Sequence, residues 1–307
     1  MKYWKKKVVL FGLETVYGQD AAPDATKAIQ ALELSITPLE AQDVQQESAT
    51  PWMGAGESSL VGLQVKLDFT VNLAGSGLAG TPPAYGPVIK ACAMREIIVA
   101  GTSVQYLPVS SGFDSATIYV NIDGTLHKVL GARGSFTTSI QGSAIPSIKF
   151  SFIGLFGGVA SVTLPTASYD TFIKPVIPSK NVTPETSIYA KQVSLKSASF
   201  SNGANPSFIT RVNSESIQIT DHPATSDWVI DDLDLSILDP FSAAANGTKG
   251  ALKIVHGTVA GNIVILSAPA AQMGKPQKAN DSGLVVMTLP FSLKPMAGDD
   301  EFSITFK

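Results

Sequence analysis

The sequence predicts a mainly β protein built from two tandem domains, each with one short helix. Three observations support this prediction. Ten stretches alternate apolar and polar side chains with the period of two that places one set on each face of a sheet. Only two stretches favour a helix. The strand pattern of residues 147–156 also returns at residues 284–293, near the end of the chain.

The predicted strands occur in both halves of the chain. In the first half they cover residues 63–73, 117–122, 135–140 and 147–156, and in the second half residues 193–200, 216–220, 229–238, 252–256, 262–266 and 284–293. One helix is predicted over 84–96, where Tyr85, Val88, Ile89 and Cys92 share a face and Pro87 suits the first turn. A second helix is predicted at 240–245.

The two halves repeat the same order of elements. The segment 165–187 is rich in proline and has no sustained periodicity, so it predicts a linker between domains at 1–164 and 188–307. Strand 63–73 matches 227–238, which sets Asp68 against Asp234, and a helix and a glycine-turned hairpin follow in each half. The closing strands match residue by residue: Ile148, Phe150 and Phe152 against Met287, Leu289 and Phe291. We infer a tandem duplication.

Composition limits the classes of function. The 307 residues are 44% hydrophobic and only 15% charged, against about a quarter charged in most soluble domains. The formal net charge of -3 argues against tight binding to nucleic acid through phosphates. Cys92 is the lone cysteine, so no internal disulfide forms, and we expect it in a core. The apolar run at 8–13 is too short for a signal peptide, and no stretch is long enough for a membrane span.

No pattern indicates an enzyme, a cofactor or a metal site. Residues 75–80 match G-x-G-x-x-G, but the Thr81-Pro82-Pro83 that follows cannot open a phosphate-binding helix. The three histidines lack metal-ligand spacing. Alternation sets Asp232 and Asp234 on one face, which is too few carboxylates for a hard-cation site. No serine has the nucleophile-elbow pattern or a base partner.

One long segment is a candidate for partner binding. Residues 39–61 are predicted as a polar, glycine-containing loop with Trp52 and Met53 near its middle. An exposed Trp-Met pair on such a loop suits an anchor for a protein partner. The alternative is that Trp52 packs on its own domain, and the residues leave both open.

Four stretches resemble a known family. They are KKKVVLFGLETVYGQDAAP at 5–23, YGPVIKACAM at 85–94, PVSSGFDSATIYVNIDGTLHKVLGARGSFT at 108–137 and MAGDDEFSIT at 296–305. Together they resemble the major tail protein, or tail tube protein, of long-tailed bacteriophages. The resemblance implies a virion protein, assembled in the host cytoplasm, in which each tandem domain is a β-sandwich with a short flanking helix. It further implies that the sheets close into a β-lined ring and that the rings stack into a conduit for DNA. It also implies tape measure, tail tip and tail terminator proteins as partners, with DNA passing through but not held.

The resemblance and the duplication together predict site residues. Single-domain members form six-membered rings, so a duplicated chain would form a trimeric ring with approximate sixfold symmetry. The predicted lumen lining is the polar face opposite the packed residues of strands 63–73 and 229–238, namely Lys66, Asp68, Thr70, Asp232, Asp234 and Ser236. The packed set in the second strand is Val229, Leu233, Leu235 and Ile237. The predicted contacts between rings are Tyr3, Trp4, Trp52 and Met53.

Other functions are less well supported. A carbohydrate-binding or adhesin module would use exposed Trp52 and Tyr85 as sugar platforms, and a hydrolase would need a nucleophile and base that the sequence lacks. The basic cluster of Lys5, Lys6 and Lys7 either pairs with the acidic residues 299–301 or is solvated.

Overall fold

The computed structural model describes residues 1–46 and 48–307 and confirms a mainly β protein. The first half contains β1 Lys7–Leu13, a 3-10 helix Ala25–Lys27, β2 Ala28–Ile29, β3 Leu32–Gln45, β4 Ser58–Asn72, α1 Gly86–Lys90, β5 Met94–Val99, β6 Ser103–Pro108, β7 Ala116–Ile122, β8 Thr125–Gln141 and β9 Ser147–Ser161. The second half contains β10 Glu185–Ile188, β11 Lys191–Gln192, β12 Leu195–Ser201, β13 Pro206–Arg211, β14 Ser214–Ile219, β15 Thr225–Asp231, α2 Pro240–Ala245, β16 Lys249–His256, β17 Val264–Met273, β18 Gln277–Asp281, β19 Leu284–Leu293 and β20 Ser303–Phe306.

The helices are shorter than most of the strands. The predicted bounds of α2 and β19 are confirmed, but α1 covers five residues where 84–96 was predicted. Helical φ angles end at Ala93, which has a φ of 59°, and β5 begins at Met94. The predicted apolar face survives this shortening, because Tyr85, Val88, Ile89 and Cys92 are all buried. None of the described helices is long and apolar enough to cross a membrane.

Eight antiparallel strands form the part of the sheet that matters most for function. Their order is β3-β4-β9-β8-β12-β15-β19-β18, and we call them the eight-strand layer. Each half of the chain contributes four of these strands. The amino-terminal part of β8 pairs with β7 as well as with β9, and β17 pairs with both β16 and β19. One hydrophobic core contains residues of both halves, among them Phe69, Phe150 and Trp228.

The strand pairing has the same order in both halves. Strand β4 lies between β3 and β9, as β15 lies between β12 and β19, and β1 pairs with β7 as β10 pairs with β16. Phe69 faces Phe150 and Trp228 faces Leu289, so the predicted match of Phe150 to Leu289 makes Phe69 the counterpart of Trp228. The predicted match of 63–73 to 227–238 is wrong in register. Asp68 corresponds to Asp227 and not to Asp234.

The eight-strand layer is open at both ends within one chain. Among the described residues β3 pairs only with β4, and β18 pairs only with β19. Each end therefore presents one edge of unpaired backbone N–H and C=O groups. Free edges of this kind are ready to pair with a strand of another chain.

Candidate functional site

One face of the eight-strand layer is polar. In β4, Leu67, Phe69 and Val71 are buried in the core, so alternation places Lys66, Asp68 and Thr70 on the opposite face, as the sequence predicted. The neighbouring strands place mainly hydroxyl groups on this face. They include Thr137, Ser139, Ser151, Ser197, Ser199, Ser201, Thr288 and Ser292.

The charges on the polar face are mostly acidic. Lys66 Nζ lies 2.7 Å from Glu40 Oε1 of β3, so this lysine is already paired within the chain. The face adds Asp68, Asp227 and Asp231 on the acidic side and Lys149 on the basic side. These six side chains are four carboxylates and two ammonium groups.

Strand β15 corrects part of the predicted site. Trp228 and Ile230 are buried against Leu289 and Met287, and β15 ends at Asp231. The predicted packed set is therefore wrong for Val229, Leu235 and Ile237, whereas Leu233 packs against the core although it follows the end of the strand. Val229 lies on the polar face, and Leu235 and Ile237 are 57% and 48% exposed. The alternation that buries Trp228 and Ile230 removes more apolar area from water than the alternation that would bury Val229. Each Å² of buried apolar surface stabilises the fold by about 25 cal/mol.

The predicted second-half lining residues lie outside the strand. Asp232 Oδ2 accepts a hydrogen bond from Lys278 Nζ at 2.7 Å, beside the core-facing side of β19. Asp234 and Ser236 belong to the turn before α2, where hydrogen bonds from Ser236 lower the pKa of the Asp234 carboxyl. Asp227 and Asp231 are the repeat counterparts of Asp68 and Asn72. This correspondence follows from the pairing of β4 with β9 and of β15 with β19, which the sequence alone does not give.

A strand pairing joins the two halves at the centre of the layer, and we call it the internal seam. Strands β8 and β12 pair through five residues each, with Ser139 opposite Ser199 and Thr138 opposite Phe200. Side chains reinforce the pairing. Thr138 Oγ1 accepts a hydrogen bond from Phe200 N at 3.2 Å, and Phe136 N donates to Asn202 Oδ1 at 3.0 Å.

The hairpin of β13 and β14, here called the second arm, reaches back over the first half. Arg133 of β8 is 9% exposed, and its Nη1 donates to the carbonyl oxygen of Ile217 at 2.7 Å. Its Nη2 donates to the Phe113 carbonyl oxygen at 3.1 Å. The Tyr17 hydroxyl accepts from Ile217 N at 2.6 Å, which fixes the arm at a second point. The arm lies between β12 and β15, so it is the repeat counterpart of the segment between β3 and β4.

The segment that joins β3 to β4, residues 40–61, is here called the first arm. Its two ends extend β3 and β4, with Val44 opposite Ser59, so the prediction of a loop over all of 39–61 is wrong at the ends. Trp52 and Met53 near the tip are 72% and 104% exposed. Packing of Trp52 on its own domain is therefore also wrong. The first arm carries exposed apolar side chains that nothing in the described chain covers.

The amino-terminal residues are also exposed. Tyr3 and Trp4 are 59% and 63% exposed, and Lys7 Nζ lies 3.7 Å from the centroid of the Trp4 ring. Lys6 pairs with Asp123 at 3.8 Å, so the alternative pairing with residues 299–301 is not found here. In that acidic segment Asp299 accepts a hydrogen bond from Ser110, and Glu301 lies 3.4 Å from His222.

The segments considered for other functions have structural roles. Gly77 N donates to the Gly261 carbonyl oxygen at 3.0 Å, and a Cβ on Gly75 would stand 2.0 Å from that oxygen. The glycine-rich segment thus docks closely on the second half. Tyr85 is buried and its hydroxyl donates to the Ala74 carbonyl oxygen, so it is not a sugar platform. The described residues contain no group of three or more His, Cys, Asp or Glu side chains placed to hold a metal ion.

Comparison with known proteins identifies one family. The model of a protein family described as phage tail tube protein matches residues 4–293, which is nearly the whole chain. A search of curated proteins found no match.

Proposed function

The chain belongs to the phage tail tube protein family, so it is a structural protein of the phage tail, and we propose that three copies close into one ring. The rings then stack into the tube through which the genome passes. The observation that supports three copies is the internal seam. It joins two like halves within one chain and leaves one open edge at β3 and one at β18. Three chains with eight layer strands each would close a barrel of 24 strands.

The polar face of the eight-strand layer is proposed to line the channel. A channel lined by Lys and Arg would bind phosphates and release their counterions, which would hold the DNA. The hydroxyl groups and surplus carboxylates of this face have the opposite effect. Lys66, Asp68 and Thr70 keep their predicted place in the lining, and Asp227 and Asp231 replace Asp232, Asp234 and Ser236.

Contacts between rings are proposed to come from the exposed apolar residues outside the layer. Trp52 and Met53 of the first arm and Tyr3 and Trp4 near the amino terminus are the candidates. Burying a large side chain of this kind stabilises a contact by about 1.5–3 kcal/mol. The tape measure, tail tip and tail terminator proteins implied by the resemblance stay predicted partners at the ends of the tube.

Mass measurement and electron microscopy test this proposal together. Purified chains of 32.1 kDa should assemble into rings whose native mass is three times that value, with class averages showing approximate sixfold symmetry. Six full chains in one ring would contradict the stoichiometry. Rings without any tendency to stack would contradict the tube.

A further inference from the structure

We infer that strand β18 of one chain pairs with strand β3 of the next chain in the register of the internal seam. The inference rests on the proposed ring and specifies the partner, a second copy of this chain, and the residues that meet. Its basis is the repeat, because the internal seam is a junction between two halves whose outer edges have the same kinds of strands.

Strand β18 is the repeat counterpart of the carboxyl-terminal end of β8. In the first half Thr138 lies opposite Ile148, and in the second half Lys278 lies opposite Met287. Ile148 and Met287 are counterparts in the sequence match. The interrupted hairpins give the same alignment, since Ala116 lies opposite Ala132 at the bulge in the first half and Gly250 lies opposite Ala271 at the bulge in the second. Thr138 therefore corresponds to Lys278. One residue along each strand, Ser139 corresponds to Ala279, and Thr137 corresponds to Gln277.

Strand β3 is likewise the repeat counterpart of β12. Ser35 lies opposite Asp68, and Ser199 lies opposite Asp227. Asp68 and Asp227 are counterparts, so Ser35 corresponds to Ser199. Two residues further along, Thr37 corresponds to Ser201.

The residue pairs of the internal seam predict which residues meet between neighbouring chains. Ser199 lies opposite Ser139 and Ser201 lies opposite Thr137 in the internal seam. The structure thus assigns Ser35 of one chain to a position opposite Ala279 of its neighbour, and Thr37 to a position opposite Gln277.

The two open edges suit this pairing. The side chains of Ser35, Thr37, Gln277 and Ala279 are all exposed in the single chain, and none is large or bears a charge that would oppose pairing. The apolar residues beside them, Leu34 and Ile36, pack against the core yet stay only half-buried. A neighbouring strand would cover them, as β8 covers the Ala198 and Phe200 side chains of β12.

A cross-linking experiment reads the register directly. The double variant Ser35→Cys with Ala279→Cys should form disulfides between chains in assembled rings, since opposite Cα atoms of antiparallel strands lie about 4.5–5.5 Å apart. A denaturing gel without reductant should show a ladder that ends at three chains. The native cysteine does not interfere, because Cys92 is fully buried and burial raises the pKa of its thiol well above the ordinary value.

Two matched variants control the experiment. Ser139→Cys with Ser199→Cys places the same geometry in the internal seam, and it should form its bond within one chain. Ser35→Cys with Asn280→Cys shifts the register by one residue, which turns one thiol to the other face of the sheet. This shifted pair should cross-link at least tenfold more slowly. Thr37→Cys with Gln277→Cys should reproduce the main result and serves if the first variant does not fold.

The outcomes separate this inference from the proposed function. Trimeric rings in the microscope without the disulfides between chains, or with faster linking of the shifted pair, would overturn the register and leave the ring standing. Wild-type chains that never form rings would overturn the proposed ring and the junction with it. A ladder continuing to six chains would support the pairing and contradict the trimer.

Discussion

Arg133 of β8 donates a hydrogen bond to the carbonyl oxygen of Ile217 across 2.7 Å, and through it the first half of the chain holds the second arm. The two residues are 84 positions apart in sequence. The same guanidinium also binds the Phe113 carbonyl and lies over the Tyr17 ring, with 4.9 Å to its centroid. A single buried cation thus fixes two segments and one aromatic ring together.

Replacing Arg133 with Met should destabilise the fold by about 3 kcal/mol, because hydrogen bonds to a charged group are worth about 1.5–3 kcal/mol each. The buried Ile217 carbonyl and the partly buried Phe113 carbonyl both lose this donor. Urea unfolding measures the loss. Arg211→Met, at an exposed position of the second arm, is the control and should change stability by less than about 0.5 kcal/mol. Equal effects of the two variants would show that the Arg133 contacts contribute little.

Replacing Trp52 and Met53 with Ser should leave the melting temperature nearly unchanged, because both side chains are exposed in the single chain. Rings should still form, but they should no longer stack into tubes. Negative-stain microscopy counts rings and tubes. Ile177→Ser removes an exposed apolar side chain from the segment between the halves and should preserve tubes. Tubes of normal length from the double variant would exclude this arm tip from stacking.

Changing Asp68, Asp227 and Asp231 to Lys should preserve ring assembly and slow genome ejection. The added positive charge would attract phosphates, and that attraction weakens as salt rises. Ejection rates of virions carrying the variant, measured at low and high salt, test this. A control with the same change in net charge replaces Asp170, Glu215 and Asp234, which lie outside the strands of the eight-strand layer, with Lys. Normal ejection from the first variant would remove lining charge from the mechanism, and failure to form rings would place the face between subunits.

His256 should make stability depend on pH. Its ring is buried, with Nε2 donating to the Val176 carbonyl at 3.0 Å and Nδ1 accepting from the Thr183 hydroxyl at 3.0 Å. Burial lowers the pKa of His256, although the bond to Val176 opposes this. The unfolded state, with a pKa near 6.5, therefore takes up the proton first, so stability is full above about pH 6.5 and falls as the pH drops toward the folded pKa.

His256→Gln should flatten this dependence. The slope that it removes is at most about 1.4 kcal/mol per pH unit, the value for one proton. Unfolding measured from pH 7.5 to 5 gives the slope. Thr183→Val keeps the imidazole and should retain the dependence while lowering stability at every pH. His127 contributes separately, because burial lowers its pKa as well. An unchanged slope in His256→Gln would assign the dependence to other groups.

The sequence by itself determined the β class, the short second helix, the alternation of β4 and the repeat match of Phe150 with Leu289. These features depend on side-chain periodicity along one strand or on a local cap, and both are visible in consecutive residues. Exposure of Trp52 was left open by the same sequence, because the polar residues around it favour neither the surface nor the core.

Only the tertiary structure decided which face of β15 is buried. The stretch from Asp227 to Leu238 alternates acceptably in either phase, and the choice was made by partners that are distant in sequence, Leu289 and Phe200, against which Trp228 packs. The internal seam was hidden for the same reason. Strand edges pair through backbone N–H and C=O groups, which are the same for almost every residue. The order of side chains therefore does not determine which strand edges pair with each other.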